Sequence, residues 1–142
     1  MHTTKAPIAI VATYALNLIW ETAQGPLYAG HSDFWRSLPM CATASLGDVL
    51  IVAGIYAFFA VIYRDTDWLK HLQPKGLLPV ALVGGLVGVA VEWWALATER
   101  WQYAAMPLLP FVDVGLLPVL QMTIIPPLLF LGYARYATSA RR

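Results

Sequence analysis

The chain has 142 residues, of which 59% are hydrophobic and only 12% charged, and its formal net charge is +1 at pH 7. Soluble domains keep about a quarter of their residues charged, and a soluble fold of this length cannot hide so much apolar surface behind a polar shell. The near-neutral charge also excludes the basic stripe of a nucleic-acid-binding protein. The composition therefore indicates an integral membrane protein, with residues 1–142 as a single domain.

Cysteine and histidine usage argues against a metal or redox centre. The single Cys41 has no partner for an internal disulfide, and the paired cysteines of zinc and redox motifs are absent. The three histidines, His2, His31 and His71, are scattered over the N-terminus and the predicted loops. We therefore expect no bound metal and no organic cofactor.

Four apolar stretches are long enough to cross a hydrocarbon core of about 30 Å, which takes about 20 helical residues. They cover residues 6–28, 42–63, 76 to about 96, and 114 to about 133. We therefore predict an all-α polytopic membrane protein with four transmembrane helices. Asn17 and Glu21 interrupt the first stretch and no clear cleavage site follows it, so we expect it to be a helix rather than a signal peptide.

The basic residues are unevenly divided between the two ends of the predicted helices. Seven lie on one side and two on the other: Lys5, Arg64, Lys70, Lys75, Arg135, Arg141 and Arg142 against Arg36 and Arg100. Since cytoplasmic loops carry the excess of Lys and Arg, both termini are predicted to be cytoplasmic. For a bacterial protein this means the inner (cytoplasmic) membrane, with the lipid bilayer as the main partner. Trp68 is expected among the interfacial aromatic residues of the cytoplasmic side.

Polar side chains within the four stretches fall at one depth. Six positions carry a carboxyl or an amide: Asn17, Glu21 and Gln24 on one face of helix 1, Asp48 on helix 2, Glu92 on helix 3 and Gln121 on helix 4. At 1.5 Å of rise per residue, Glu21, Asp48, Glu92 and Gln121 share a layer about 6–10 Å below the outer edge of the core. Intramembrane polar groups usually face the bundle interior, so we expect them around a single cavity.

Helix 3 carries a stripe of small residues that includes Glu92. Ala81, Gly84, Gly88 and Ala95 share its spacing of three and four residues. Such stripes allow helix backbones to pack closely. Glu92 is therefore expected to face the other helices, and the stripe offers a surface for oligomerisation.

The segment between helices 3 and 4, residues 106–118, is apolar and contains three prolines. It is too apolar for a water-exposed loop and too rich in proline for a long helix. We predict that it folds back as a lid over the outer ends of the helices. Aromatic residues near the same layer are expected to form walls of the site: Trp20, Trp93, Trp94, Trp101 and Tyr103.

Several carboxyl groups in one low-dielectric layer cannot all stay ionised, so at least one is expected to hold a proton at neutral pH. A protonated acid beside an ionised one is what general acid–base catalysis needs, and an apolar pocket suits a lipophilic substrate. We predict a membrane-embedded isomerase, cyclase or hydratase. Its predicted catalytic residues are Glu21, Glu92 and Asp48, and its predicted substrate-binding residues are Asn17, Gln24, Gln121, Trp20, Trp93 and Tyr103.

Three resemblances accompany these residues. Residues 92–103, which begin Glu92-Trp93-Trp94, are followed by the Pro-rich segment and resemble small carotenoid-biosynthesis membrane proteins. Acids on several of four short helices resemble the sterol-isomerase and emopamil-binding group. The segment Trp20-Glu21-x-x-Gln24-x-Pro-Leu-Tyr resembles uncharacterised bacterial four-helix membrane proteins. These resemblances imply isoprenoid or lipid chemistry at Glu92, although the Pro-x-Glu-Glu motif of lycopene cyclases and the histidine of the emopamil group are absent.

Other interpretations stay open at this point. Asn17 and Gln24 also suit the cross-linking of helices, and Asp48 suits the cap of a shorter helix 2. A small proton-coupled transporter or binding protein for a cationic or lipophilic solute is a second functional hypothesis, since small multidrug transporters also have four helices and a key Glu in the first. A non-catalytic membrane subunit is the third. Against transport, the charge bias fixes one orientation and no polar path continues to the cytoplasmic side.

Overall fold

The computed structural model describes residues 5–139, and the side chains of residues 6–136. It consists mainly of four helices: α1 (Lys5–Gln24), α2 (Phe34–Tyr63), α3 (Leu77–Ala97) and α4 (Leu116–Ser139). All four are long and apolar enough to cross a membrane. At this level the predicted helical architecture is confirmed. His2, Arg141 and Arg142, which entered the sequence predictions, lie outside the described residues.

Short elements connect the helices. A 3-10 turn, Gly25–Leu27, follows α1, and two further 3-10 turns, Trp68–His71 and Pro74–Gly76, lie between α2 and α3. We call the end of the bundle with residues 25–33 and 98–115 the site end, and the end with residues 64–76 the opposite end. The two loops of the site end are joined by backbone hydrogen bonds, from Ala29 N to Gln102 O at 2.9 Å and from Ala104 N to Leu27 O at 2.8 Å.

Helix α2 begins eight residues earlier than predicted, at Phe34 instead of residue 42. Asp33 is its N-cap, because its side chain accepts a hydrogen bond from Arg36 N at 2.9 Å. Pro39 lies inside the helix, close to its start. Asp48 therefore lies in the middle of α2, and the interpretation of Asp48 as a helix cap is wrong.

The predicted Pro-rich segment contains a small hairpin. Strand β1 (Leu108–Leu109) pairs antiparallel with β2 (Val114–Gly115). Val114 is fully buried, whereas Phe111 at the hairpin tip is fully exposed and has a positive φ of 73°. Pro118, which was assigned to the segment, lies in the first turn of α4, where a missing N–H breaks no helical hydrogen bond.

The helices pack in the order α2, α1, α4, α3, while α2 and α3 have little contact with each other. The largest apolar cluster lies toward the opposite end: Val52, Ile55, Phe59, Trp68, Leu69, Val80 and Phe130. Trp68 was expected at the membrane surface, but it is only 4% exposed. Its ring contacts those of Phe59 and Phe130, each with a centroid separation of 5.5 Å. This cluster leaves the site end free to hold polar groups.

The small-residue stripe of α3 packs against α4 of the same chain. A Cβ at Gly84 would lie 1.9 Å from Met122 O, and one at Gly88 would lie 3.2 Å from Val119 Cα. Glycine is therefore what allows the two backbones to approach. One turn further along this face, Glu92 is buried. Gly84 and Gly88 pack against α4 of the same chain, and oligomerisation through the stripe stays a prediction.

Candidate functional site

Three amide side chains form a connected, buried network between α1 and α4, which we call the amide network (Asn17, Gln24 and Gln121). Gln24 Nε2 donates to Gln121 Oε1 at 3.2 Å, and Gln121 Nε2 donates to Asn17 Oδ1 at 2.9 Å. The three side chains are at most 3% exposed. They cross-link the two helices, as expected if Asn17 and Gln24 serve to join helices. Their hydrogen bonds also reach residues outside the amide network.

The amide network holds two carboxyl groups. Gln24 Nε2 donates to Glu21 Oε1 at 3.0 Å, and Gln121 Nε2 donates to Asp48 Oδ2 at 2.9 Å. Glu21 lies one turn before Gln24 on α1, whereas Asp48 belongs to α2. Each carboxyl thus receives one amide N–H on one of its oxygens.

Glu92 is held differently, by residues of the loop between α3 and α4. Its Oε2 accepts hydrogen bonds from the Tyr103 hydroxyl and, at 3.3 Å, from Trp101 Nε1. The Tyr103 hydroxyl in turn accepts from Gly115 N at 2.7 Å. An antiparallel bridge between Tyr28 and Tyr103 fixes this part of the loop against the end of α1.

Tyr103 lies outside the four membrane-length helices, at the edge of this site. Burial and the hydrogen bond to Glu92 raise the pKa of Tyr103 above its usual value. The hydroxyl therefore remains protonated at neutral pH and stays a hydrogen-bond donor to Glu92. Gly115 N donates to the hydroxyl oxygen, and the hydroxyl hydrogen is directed to Glu92.

The three carboxyl residues line one cavity of about 580 Å³ at the site end. This size is typical of a small-molecule site. Its wall comes from all four helices and both loops of the site end: Glu21, Tyr28, Asp48, Glu92, Trp94, Trp101 and Gln121 among others. Thr43, Gly47 and Trp94 are exposed members of the wall and flank the gap between α2 and α3. One exposed edge of the cavity thus lies at this gap, and Met40 and Arg100 are further exposed wall residues.

The carboxyl groups of the cavity differ from an ion-paired site. Within the described residues, no Lys or Arg forms an ion pair with Glu21, Asp48 or Glu92. Arg100 lies at the wall of the cavity, but its guanidinium stacks on Trp94, 4.6 Å from the ring centroid. Among the same residues, no buried side-chain nitrogen or oxygen lacks a hydrogen-bond partner. The side chains of all three carboxyl residues belong to the cavity wall.

Among the predicted site residues, only the carboxyls and Gln121 lie in the cavity wall. Asn17 and Gln24 are buried behind it. Tyr103 lies behind the wall and is hydrogen-bonded to Glu92, which is part of it. Trp20 also lies outside the wall and donates from Nε1 to Gln24 Oε1 at 3.2 Å. Trp93 does not belong to the wall, and its Nε1 donates to Val112 O at 2.8 Å. Its neighbour Trp94 lies in the wall instead.

Several wall residues were not among the predicted site residues: Tyr28, His31, Cys41, Trp94, Arg100 and Trp101. Trp94 and Trp101 were named only as general aromatic walls. Two of the others, His31 and Arg100, belong to loops whose course the hydropathy pattern does not define. Cys41 was overlooked because residue 41 was placed outside helix 2, although its Sγ lies 3.6 Å from Glu21 O. The spacing of seven between Cys41 and Asp48 was the available signal for a shared face.

Comparison with protein-family models, with curated proteins and with solved structures finds no match to this chain. The site therefore has to be interpreted from its own geometry. Within the described residues, no group of three or more His, Cys, Asp or Glu side chains is arranged to hold a metal ion. What the cavity offers is three carboxyl groups, each held by hydrogen bonds from neighbouring side chains, beside aromatic rings. Such a site can exchange protons with a bound molecule.

Proposed function

We propose that this protein is a membrane-embedded enzyme that performs acid–base chemistry on an isoprenoid or another lipophilic substrate. The reaction would be an isomerisation, a cyclisation or a hydration. The observation that carries this proposal is the convergence of Glu21, Asp48 and Glu92, from three different helices, on one cavity. Intramembrane carboxyls are costly to bury and are most often functional.

The opening of the cavity supports a lipophilic substrate. Leu46 and Leu50 on α2 and Leu86 on α3 are 58%, 74% and 71% exposed, respectively. In a bilayer these side chains would face the acyl chains, so a hydrophobic molecule would enter laterally without crossing water. We further propose that both termini are cytoplasmic in a bacterial inner membrane, which places the cavity in the outer leaflet.

The hydrogen bonds suggest different roles for the three carboxyls. Glu92 accepts two donors on one oxygen, from Tyr103 and Trp101, and this fixed geometry suits a general base. Glu21 and Asp48 each accept an amide N–H, from Gln24 and Gln121 respectively. The hydrogen bond between these two glutamines connects the two carboxyls. Two such acids repel each other when both are ionised, so one of them is suited to supply the proton. The aromatic faces of Tyr28, Trp94 and Trp101 would stabilise a developing positive charge.

Lipid analysis of cells with and without the gene tests this proposal. Mass spectrometry of extracted lipids should show one species that appears only when the gene is expressed. Glu92→Gln and Glu21→Gln keep the shape of each side chain but remove its acidic proton, and each should abolish the new species. Glu99→Gln is the control, because Glu99 is an exposed carboxyl in the loop after α3. An unchanged lipid profile would contradict the proposal.

One observation favours transport as the alternative. A second cavity, of about 600 Å³, lies between α1, α2 and α4 nearer the opposite end. Thr13 belongs to its wall and lies one turn from Asn17 of the amide network, so a thin buried layer separates the two cavities. A transporter of cationic solutes would alter sensitivity to such compounds without changing any lipid. That combination would replace the enzyme proposal.

A further inference from the structure

The direction of every hydrogen bond in the amide network depends on two groups at its ends. At one end, Trp20 Nε1 donates to Gln24 Oε1 at 3.2 Å. At the other end, Asn17 Nδ2 donates to Thr13 O at 2.9 Å. An indole N–H can only donate and a backbone carbonyl can only accept. These two groups therefore define which atom of each amide is the nitrogen.

The orientation of one amide determines the orientation of the next. With its oxygen on Trp20, Gln24 must direct its two N–H groups to Glu21 Oε1 and Gln121 Oε1. Gln121 then directs both of its N–H groups to Asp48 Oδ2 and Asn17 Oδ1. Both carboxyls thus accept a hydrogen bond from an amide N–H.

The reverse direction is chemically possible only under different conditions. If all three amides turned over, their oxygens would face Glu21 and Asp48, so both carboxyls would have to be protonated and donate. Two contacts would also fail: the Gln24 nitrogen would face the Trp20 indole N–H, and the Asn17 oxygen would face Thr13 O. In the observed direction, both carboxyls act as hydrogen-bond acceptors.

We propose that Trp20 is a positioning residue that, together with the Thr13 carbonyl, fixes the direction of the amide network, so that Glu21 and Asp48 both accept an N–H. The ring of Trp20 is not part of the cavity wall, so its effect is exerted through Gln24. The assignment rests on the proposed function for its catalytic meaning, but the direction of the amides can be measured without any substrate.

Other titratable groups lie around Glu21: Asp48 and Cys41 from α2, Glu92 from α3, and Tyr28 from the loop after α1. His31 and Arg100 belong to the wall of the same cavity. Helix α4 contributes the neutral Gln121. Trp20→Phe leaves all of these groups in place and removes a single N–H, which makes it a specific test of the Trp20 contact.

Nuclear magnetic resonance of the side-chain amides is the suitable measurement. The chain has four glutamines, Gln24, Gln73, Gln102 and Gln121, so glutamine labelled with ¹⁵N in its side chain gives a simple spectrum of the protein in micelles. In Trp20→Phe, the signals of Gln24 and Gln121 should shift or double, and more so at a pH low enough to protonate both carboxyls. Gln73 and Gln102 should be unchanged. The control Trp93→Phe, which removes an indole N–H bound to Val112 O, should leave all four signals in place.

Unchanged Gln24 and Gln121 signals in a folded Trp20→Phe would overturn the assignment. If this variant does not fold, the wild-type protein supplies the test. The amide hydrogens of Gln24 should show stronger nuclear Overhauser contacts to the Glu21 side chain than to the Trp20 indole proton, and the opposite order would overturn the assignment. A shift of the amide signals together with an unchanged lipid profile would retain the positioning role of Trp20 and reject the enzyme.

Discussion

Tyr103 donates its hydroxyl hydrogen bond to Glu92, and this contact joins a loop residue to the one carboxyl of α3. Gly115 N, at the start of α4, donates to the same hydroxyl at 2.7 Å. Tyr103 therefore connects the carboxyl with the segment where the hairpin ends and α4 begins. The position of Glu92 depends on the fold of the loop as much as on its own helix.

Tyr103→Phe should lower turnover while leaving the protein folded. The variant removes one of the two donors to Glu92 Oε2 and leaves Gly115 N without its partner. A hydrogen bond to a charged group contributes about 1.5–3 kcal/mol, which corresponds to a loss of about 10- to 100-fold. Tyr63→Phe, at the exposed end of α2, is the matched control and should have no effect.

The effect of Tyr103→Phe on turnover should not depend on pH near neutrality. The raised pKa of Tyr103 keeps its hydroxyl protonated below and above neutral pH, since a phenol ionises only as the pH rises through its pKa. The ratio of wild-type to variant turnover should therefore stay constant between about pH 6 and pH 9. A ratio that falls steeply toward alkaline pH would show that Tyr103 ionises in this range.

Gly84→Ala should destabilise the bundle. Its new Cβ would lie 1.9 Å from Met122 O, so α3 and α4 would have to separate. Overpacking of this kind costs about 1–3 kcal/mol. Gly54→Ala on α2 is the control, because nothing lies within 4 Å of a Cβ there and alanine favours a helix by about 1 kcal/mol. Thermal unfolding in detergent should move in opposite directions for the two variants, and equal stability would contradict the close α3–α4 packing.

Hydropathy predicted the fold well wherever a helix ends at a clear polar boundary. The ends of α3 lie within about one residue of the prediction. The start of α2 was missed because Pro39 looked like a loop residue, whereas the cap by Asp33 depends on local geometry. The hairpin was missed because strands of two residues carry no periodicity.

The candidate site shows the same division. The shared depth of Glu21, Asp48 and Gln121 could be predicted by counting residues, since an α-helix has a constant rise per residue. The partners of Glu92 and the course of residues 98–105 depend on loop contacts that no helical period encodes. The role of Trp93 was predicted from its neighbours in sequence, but a rotation of one residue along α3 places Trp94 in the wall instead.

Gly47→Trp should close the entrance of the cavity. Gly47 is exposed in the wall of the cavity, with nothing within 4 Å of a Cβ. The single cysteine, Cys41, lines the cavity and reports on access to it. An apolar maleimide should label Cys41 more slowly in this variant than in the wild type. Gly54→Trp, two turns further along α2 and outside the cavity wall, should leave the labelling rate unchanged; equal rates in all three proteins would show that the cavity does not open at Gly47.

Solvent deuterium uptake tests the central claim most directly. Isolated membranes that contain the protein are incubated in D₂O with total lipid extract and without added cofactors. If the cavity transfers protons to a lipophilic substrate, one lipid species should gain deuterium on carbon. The label should be lost in Glu92→Gln and Glu21→Gln and retained in Glu99→Gln. If no lipid gains deuterium on carbon above the level of membranes without the protein, the three carboxyls do not perform acid–base chemistry on a lipid.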